Sequence, residues 1–478
     1  MLFFSPPMQF NLNAAGAGGS AFPVTYWMAQ AYDAAGDNMY MEDVAIDSTG
    51  NIYLLSWGDV STIGTASFDF ILTKLNPIGE FQWTKVLGSP QQDGASNTTL
   101  GGNALSIDGD DNIIVAQTFD ERGAGTEETG HIVKISSEGS LIWQQYHAPT
   151  SASARSRTYA CIADKSTNDI YVCGETNADG ASVGDFEAFV IKYNSSGTQQ
   201  WANIFGTTGG VDRCTSIALD TSGDVLVSGY NTSGASRGLV AKLSKSTGAI
   251  SWSRYVGNTS NNKNFYGMTA AGDDPVMTGF NQQNSSGSND VWLVKYNNAG
   301  TYQWGRLLGG SGSDQGYAVA ADDSGNIYVS GIQKSDLGHT SVASAAVLAK
   351  YNSSGTIQWQ KHFTADNNSH ATNNITALKF HPDGSLVLAI YSGNGLDIAT
   401  PHPLPNTIVK LPADDTLWPS TFGQWSIGTT TMTEKAAAST EGSLGVNSNT
   451  SDLTSSTGAL TLADPSSPLT EVKTDITI

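Results

Sequence analysis

Apolar residues recur at every second position in seven short segments spread along the chain. The first inward position holds Val44, Leu105, Cys161, Ile217, Met268, Val319 and Leu378, and the second holds Ile46, Ile107, Ala163, Leu219, Ala270, Ala321 and Phe380. Apolar residues with a period of two are typical of a strand that buries one face. The pattern therefore predicts seven half-buried strands.

A tight turn and a second, almost entirely apolar strand follow each of these segments. In the sixth unit, Asp-Asp-Ser-Gly-Asn at 322–326 provides the turn, and Ile-Tyr-Val at 327–329 begins the strand. Glycine adopts a positive φ without steric cost, and aspartate accepts hydrogen bonds from its own turn. A strand without polar alternation is covered on both faces, as in sheets that pack against neighbouring sheets.

A lysine and a tryptophan mark two further strands in each unit. The lysines are Lys74, Lys134, Lys192, Lys242, Lys295, Lys350 and Lys410, and the tryptophans are Trp27, Trp83, Trp143, Trp201, Trp252, Trp304 and Trp359. Four antiparallel strands are too few to bury their own faces, so such units stack around a common axis. We therefore predict an all-β fold, a seven-bladed β-propeller of four-stranded antiparallel blades.

The order of these marks predicts how the ring closes. Trp27 precedes the first lysine, so residues 25–32 resemble a fourth strand without the three strands that should come before it. We predict that this strand completes the last blade. Trp418 is the rival for the same place, but Pro419 would interrupt its hydrogen-bond ladder.

The repeated lysines and tryptophans are interpreted as structural, with a sevenfold ligand ring as the alternative. A lysine stem can pack along a blade while its ammonium group meets a carboxylate or carbonyl of a turn. The tryptophans are expected to pack along the outer strands, some of them over the lysine ammonium groups.

Three regions follow from the extent of the repeat. Residues 1–24 form an N-terminal arm, residues 25–422 the propeller, and residues 423–478 a C-terminal arm rich in Ser, Thr and Gly. The composition of the last region is too polar to fold alone. We expect it to be held as strands added to the sheet of a neighbour.

Charge and cysteine content exclude several classes of function. The chain has 44 acidic and 23 basic residues and a net charge of −21, which argues against nucleic acid and anionic membranes as partners. The sequence has no apolar run of the roughly 18–20 residues that span a bilayer. No basic residue precedes Lys74, so no Sec signal is predicted. The cysteines, Cys161, Cys173 and Cys214, are interpreted as small buried hydrophobic residues.

The loops between second and third strands and between fourth and first strands emerge on one face of the propeller. Long polar loops at 120–128, 175–187, 281–289 and 331–344 make this the expected contact surface. The alternative is that they are tolerated insertions. The candidate binding residues of this loop face are Arg122, Glu127, Arg155, Arg157, Glu175, Arg213, His339, His370 and His402.

Motifs for metal binding and catalysis are incomplete. Asp108-Gly-Asp-Asp-Asn112 resembles the start of a calcium loop, but Phe119 stands where the twelfth-position Glu is needed, so we interpret it as a hairpin turn. The histidines lack zinc-site spacing. Thr247-Gly-Ala-Ile-Ser-Trp252 resembles the ending of a quinoprotein dehydrogenase blade, but in one unit only. We therefore expect no catalytic residue, no cofactor, no metal site and no enzymatic activity.

The frames at 322–331 and 347–359 resemble the SBBP-type beta-propeller repeat, and the resemblance recurs seven times over about residues 25–412. That family implies no single activity and includes bacterial surface proteins, and the chain is also similar to marine phage virion proteins. The surface-type composition without a signal, the low-complexity arm and the incomplete catalytic motifs lead us to expect a virion structural protein of the tail, baseplate or fibre, bound through its arms to other virion proteins. A host surface glycan or protein is a further expected partner. The alternatives are a bacterial extracellular glycan- or protein-binding propeller and, third, a quinoprotein-like enzyme.

Overall fold

A computed structural model describes the strands and short turns of the chain. Outside the described part lie residues 1, 5–7, 11–25, 34–38, 59–68, 89–102, 121–127, 150–154, 178–185, 208–209, 233, 258–260, 283–287, 335–343, 366–372, 393–405, 419–420, 423–424, 430–432, 437–440, 444–446, 450–452, 458–460 and 464–478. The candidate residues Arg122, Glu127, His339, His370 and His402 fall within these segments.

The chain forms a seven-bladed β-propeller, and each blade has a core of four antiparallel strands. The innermost strands of blades 1 to 7 are Met39–Ile46, Leu105–Ile107, Ser156–Ala163, Asp212–Leu219, Lys263–Ala271, Gln315–Ala321 and Asn373–Phe380. The second strands are Ile52–Gly58, Ile113–Asp120, Ile170–Thr176, Val225–Asn231, Asp274–Gln282, Ile327–Gln333 and Leu386–Ser392.

The third strands are Asp69–Leu75, Glu128–Ile135, Glu187–Tyr193, Arg237–Leu243, Asn289–Tyr296, Ala345–Tyr351 and Asn406–Leu411. The fourth strands of blades 1 to 6 are Phe81–Gly88, Leu141–Pro149, Gln199–Gly206, Ile250–Val256, Tyr302–Gly309 and Ile357–Ala365. The prediction of the fold from the apolar period is therefore confirmed.

Seven apolar cores hold the ring together, and each lies between two adjacent blades. The core between blades 7 and 1 contains Val44 and Ile52 from the first blade and Ala377 and Ile408 from the last. Because every blade contributes one face to each of two cores, the second strands are apolar on both sides. The cysteines are free and buried within this packing, as predicted.

The fourth strand of blade 7 is Tyr26–Asp33, which pairs with Asn406–Leu411. Trp27 lies opposite Lys410, the same pairing that Trp83 makes with Lys74 and Trp304 with Lys295. The N-terminal strand therefore closes the ring, as the order of the lysines and tryptophans predicts.

In blades 1 to 4 the repeated lysine and tryptophan both contact a turn of the next blade, and in blade 5 the tryptophan does so. Lys242 Nζ lies 2.6 Å from Asn298 Oδ1, and Trp252 Nε1 donates a hydrogen bond of 2.9 Å to the Asn298 carbonyl. Gly300, at φ +74°, faces the indole so closely that a Cβ would lie 2.6 Å from Trp252. In the first blade Lys74 and Trp83 both donate to a single carbonyl of blade 2, that of Ser137. These contacts are structural.

The ammonium groups of Lys74, Lys192 and Lys350 lie over tyrosine rings, and several of the repeated lysines lie beside turn carboxylates. Lys192 Nζ is 5.4 Å from the centre of the Tyr171 ring and 2.7 Å from Asp169 Oδ2. Lys134 Nζ is 2.7 Å from Asp108 Oδ2. The sequence predicts that some of the tryptophans cover these ammonium groups. In the described cases a tyrosine of the adjacent second strand covers the ammonium group instead.

Trp418 has a different place from the other tryptophans. It follows a short 3₁₀ helix, Asp415–Leu417, and its ring centre is 5.2 Å from that of Trp359. Its Nε1 donates to the Pro412 carbonyl at 2.8 Å. Trp418 packs on Trp359 and Phe363 of the outer strand of blade 6. This is the place that the turn between the third and fourth strands of the next blade takes on Trp252 and Trp304.

The C-terminal segment adds a fifth strand to the outer edge of six blades. It runs backwards around the ring, with Trp425–Thr429 on blade 6, Thr433–Ala436 on blade 5, Glu441–Ser443 on blade 4, Asn447–Asn449 on blade 3, Leu453–Thr457 on blade 2 and Thr461–Ala463 on blade 1. Thr421–Phe422 pairs with the first of these strands. We call the six strands the C-terminal belt.

The N-terminal strands Leu2–Phe4 and Met8–Phe10 pair with the outer edge of blade 7. Every blade therefore carries an added outer strand. The C-terminal arm forms strands, as expected. The expectation that the sheet of a neighbour receives them is wrong for the described strands, because each of them pairs with a blade of the same chain. Within the described residues, no helix is long and apolar enough to cross a membrane.

Candidate functional site

Six side chains surround the central axis on the loop face, one at the start of the innermost strand of every blade but the second. They are Tyr40, Arg157, Arg213, Asn264, Gln315 and Asn374, and all are half-buried. Each lies opposite the equivalent position of the second strand, as Arg157 opposite Glu175 and Arg213 opposite Tyr230. We call these six residues the mouth ring.

The mouth ring comes from one position of the repeat. Each member stands four residues before the first inward apolar residue of its unit, as Arg157 before Cys161 and Asn264 before Met268. The inward positions are apolar in all seven units, whereas this position varies from Tyr to Arg, Asn and Gln. Variation at one point of an otherwise regular scaffold is what a binding surface requires.

Glu175 organises the charged part of the ring. Its side chain is fully buried, and its Oε1 accepts hydrogen bonds from Arg157 Nη1 at 2.7 Å and from Tyr159 Oη at 2.8 Å. Its Oε2 accepts from Arg213 Nε at 2.5 Å. One carboxylate therefore fixes two guanidinium groups from adjacent blades, and such charge-assisted contacts are strong and directional. Burial, followed by the charge of Glu175, raises the pKa of Tyr159.

A second carboxylate and a third arginine extend this cluster. Glu128 Oε2, at the start of the third strand of blade 2, lies 2.5 Å from Arg157 Nε and 3.9 Å from Arg155 Nη1. The structure thus brings together Arg155, Arg157, Glu175 and Arg213, four of the nine residues predicted for the loop face. Glu128 was not among those candidates.

Aromatic side chains lie on both sides of this charged cluster. In blades 4 to 6, Tyr230, Tyr266, Phe280 and Tyr317 form one cluster, in which the rings of Tyr266 and Tyr317 lie 6.0 Å apart and nearly parallel. Across blades 1 and 7, Tyr40 stacks on Trp57 with ring centres 4.1 Å apart and on Tyr391 at 5.3 Å.

The amide side chains of the ring retain acceptor capacity. Asn264 Oδ1 and Asn374 Oδ1 are shielded from solvent and accept no hydrogen bond within the described part of the chain. Gln315 Oε1 accepts from the Tyr317 hydroxyl at 3.0 Å. Sequence reasoning missed these amides because short polar residues near loops are common, and the signal was their fixed offset from the apolar positions.

A polar bridge crosses the axis below the mouth. Lys379 Nζ, from blade 7, donates to Asn103 Oδ1 at 3.3 Å, and the Asn103 amide donates to Ser216 Oγ of blade 4. The buried Asp43 carboxylate accepts from the backbone of Val44 and Leu105, both at 2.8 Å. Burial raises the pKa of Asp43, and the Lys379 charge opposes that rise.

A cavity of about 760 Å³ opens on the opposite face, below this bridge. The innermost strands line it with mostly small and apolar side chains, among them Ile162, Ala218, Thr269 and Ala320. Asp108, the candidate calcium-loop residue, instead accepts hydrogen bonds from its own turn and from Lys134. The described residues include no group of three or more metal-ligating side chains.

One family model matches a short part of the repeat region. The family model described as SBBP, Beta-propeller repeat, matches residues 303–331. No curated protein matches the chain.

Several solved structures match about four fifths of this chain at low identity. Quinohemoprotein alcohol dehydrogenase from Comamonas testosteroni is 11% identical over 80% of this chain and 72% of its own, with a TM-score of 0.43. A europium-containing methanol dehydrogenase is 10% identical over 85% and 93%, with a TM-score of 0.42. α-L-Arabinanase from Penicillium chrysogenum is 9% identical over 79% and 94%, with a TM-score of 0.38. Their activities are not transferred to this chain.

Proposed function

We propose that the chain is a non-enzymatic structural and binding protein of a bacteriophage particle, in the tail, baseplate or fibre region. The observation that supports this proposal is the belt. A propeller blade ends in an exposed strand edge, which is a template for unwanted pairing with other chains. Here each outer edge is covered by a strand of the same chain.

A protein that works outside the cell must persist without chaperones, and its lifetime depends on slow unfolding and resistance to association. Covering the blade edges with strands of the same chain slows unfolding and also limits association with other chains. The phage setting rests on the resemblance of the repeat to virion propellers. Since the belt strands already pair with their own blades, contact with other virion proteins would use the propeller surfaces or segments outside the described strands.

Particle fractionation tests this proposal. Phage particles purified on density gradients should contain the full chain in a fixed ratio to the major tail proteins, as measured by quantitative mass spectrometry. Genes for portal, sheath or tail tube should flank its gene. Recovery of the chain only from the host cell surface would favour the alternative, a bacterial extracellular binding propeller.

A further inference from the structure

We propose that Cys173 and Cys214 are a disulfide-forming pair, which joins blade 3 to blade 4 when the chain folds in the presence of an oxidant. Both cysteines are free in the structure, as is Cys161, which we assign no part in the bond. The pair is a site of covalent modification and goes beyond the binding role proposed above. It rests on where the three cysteine side chains lie in the packed blades.

The two cysteines lie on strands of adjacent blades that face the same core. Cys173 belongs to the second strand of blade 3 and Cys214 to the innermost strand of blade 4, and both side chains are fully buried between the two blades. The Cys173 thiol donates to the Cys214 carbonyl at 3.5 Å. Burial, followed by a hydrogen bond with the Cys214 side chain, raises the pKa of the Cys173 thiol. The two side chains therefore touch each other across the boundary between the blades.

Cys161 faces the other side of blade 3. It lies opposite the residue that precedes Cys173 on the neighbouring strand, and successive residues of a strand point to opposite faces of the sheet. Its thiol donates to the carbonyls of Ala104 and Ile114 in blade 2, at 3.5 and 3.7 Å. The sheet of blade 3 thus separates Cys161 from Cys214, which leaves one pairing among the three cysteines.

The bond forms by thiol–disulfide exchange with a low-molecular-weight disulfide such as oxidised glutathione. The thiolate of one cysteine attacks this disulfide, forms a mixed disulfide and releases one molecule of the reduced thiol. The thiolate of the second cysteine then attacks the protein sulfur of the mixed disulfide and releases another. Two protons and two electrons pass from the protein to the oxidant. Because the folded ring shields both sulfur atoms, the exchange takes place during folding or while the two blades are transiently apart.

The bond should make the ring harder to unfold. It closes the chain between residues 173 and 214, and a disulfide stabilises a protein mainly by restricting its unfolded chain. It also adds a covalent link across a boundary between blades that is otherwise held by apolar packing. The oxidised chain is therefore expected to have a higher urea midpoint than the reduced chain.

Refolding of the full chain from urea, in a mixture of reduced and oxidised glutathione, tests the pair. Mass spectrometry of peptides prepared without reduction should find one linked pair, which contains Cys173 and Cys214, and iodoacetamide should alkylate Cys161 in the unfolded protein. Dithiothreitol should return the urea midpoint to that of the reduced chain. A linked peptide that contains Cys161, or three free thiols after refolding, would overturn the proposal.

Variants separate the covalent bond from the packing of the side chains. Cys173→Ala and Cys214→Ala should each have the same urea midpoint with and without oxidant, whereas Cys161→Ala, the matched control, should keep the increase on oxidation. Each variant is compared with its own reduced form, so the packing lost with the sulfur atom does not enter the difference. An increase that persists in Cys214→Ala would contradict the proposal. If a variant does not fold, the peptide map of the wild-type chain decides. The particle experiment does not depend on this bond, so either proposal can fail without the other.

Discussion

Single residues show where the repeat is structural and where it is not. Lys242, Trp252 and Gly300 each recur in other units and meet at one contact between blades, so a residue type that repeats sevenfold is explained by the ring itself. Arg157 and Arg213 could be predicted because charges are sparse in this sequence. Asn264 and Asn374 could not, because an amide near a loop looks the same whether or not it faces a ligand.

The contact between Gly300 and Trp252 should be measurable in the stability of the protein. Gly300→Ala introduces a Cβ at a positive φ and also against the indole, whereas Gly272→Ala adds a Cβ at φ +66° with nothing within 4 Å. The positive φ should lower the free energy of unfolding of both variants by about 1–2 kcal/mol. Gly300→Ala should cost about 1–3 kcal/mol more because the packing is tight. Equal urea midpoints for the two variants would show that the Trp252 indole can move aside without a loss of stability.

Two buried histidines should make the protein sensitive to acid. Burial lowers the pKa of His131 and His147 to about 3, and in His131 the charge of His147 adds to this effect. In the unfolded chain the pKa is about 6.5. As the pH falls from 6.5 towards 3, the unfolded state therefore takes up protons that the folded state does not, and the free energy of unfolding decreases.

The slope attributable to each histidine is at most about 1.4 kcal/mol per pH unit. His131→Phe keeps an aromatic ring against Phe119, whose centre is 5.0 Å from that of His131. Urea unfolding at several pH values should show a shallower decline for this variant between pH 6 and 4. The same slope in both proteins would mean that His131 is protonated in the folded state.

Among the elements, those with an apolar period could be predicted and those without one could not. The strand at 26–33 could be assigned to blade 7 because Trp27 repeats the position of Trp83. The belt strands at 441–443 and 447–449 read Glu-Gly-Ser and Asn-Ser-Asn, which carry no apolar alternation. Their place is set by main-chain hydrogen bonds and by their order along the chain, so composition could predict an arm but not its course around the ring.

Trp418 should stabilise the outer strand of blade 6 in the way that a turn of the next blade does elsewhere in the ring. Trp418→Ala would expose Trp359 and Phe363, whose ring centres lie 5.2 and 5.9 Å from it. Because an aromatic pair contributes about 0.5–1.5 kcal/mol beyond its area, and the site is half-buried, we expect a loss of about 2 kcal/mol. Trp418→Phe should retain most of this in urea unfolding. An unchanged midpoint for Trp418→Ala would mean that the tryptophan is not part of the packed ring.

At the scale of the whole molecule, the seven cores and the belt should contribute differently to stability. The cores lie between blades and consist of residues between 40 and 418, whereas the belt adds main-chain hydrogen bonds at the rim. Removal of residues 419–478 should therefore leave a folded ring whose outer edges on blades 1 to 6 are open. Open edges pair with other chains, and hydrogen bonds at the rim should slow unfolding when they are present.

We expect the truncated ring to keep its near-ultraviolet circular dichroism but to associate at concentrations where the full chain is monodisperse, as measured by light scattering. Its half-life under protease should also shorten severalfold. Removal of residues 464–478 alone, which follow the last belt strand, is the matched control and should change neither property. If the ring without the belt stays monodisperse and equally resistant to protease, edge protection does not explain why the chain encircles itself. The belt would then have to be explained by a partner that displaces it.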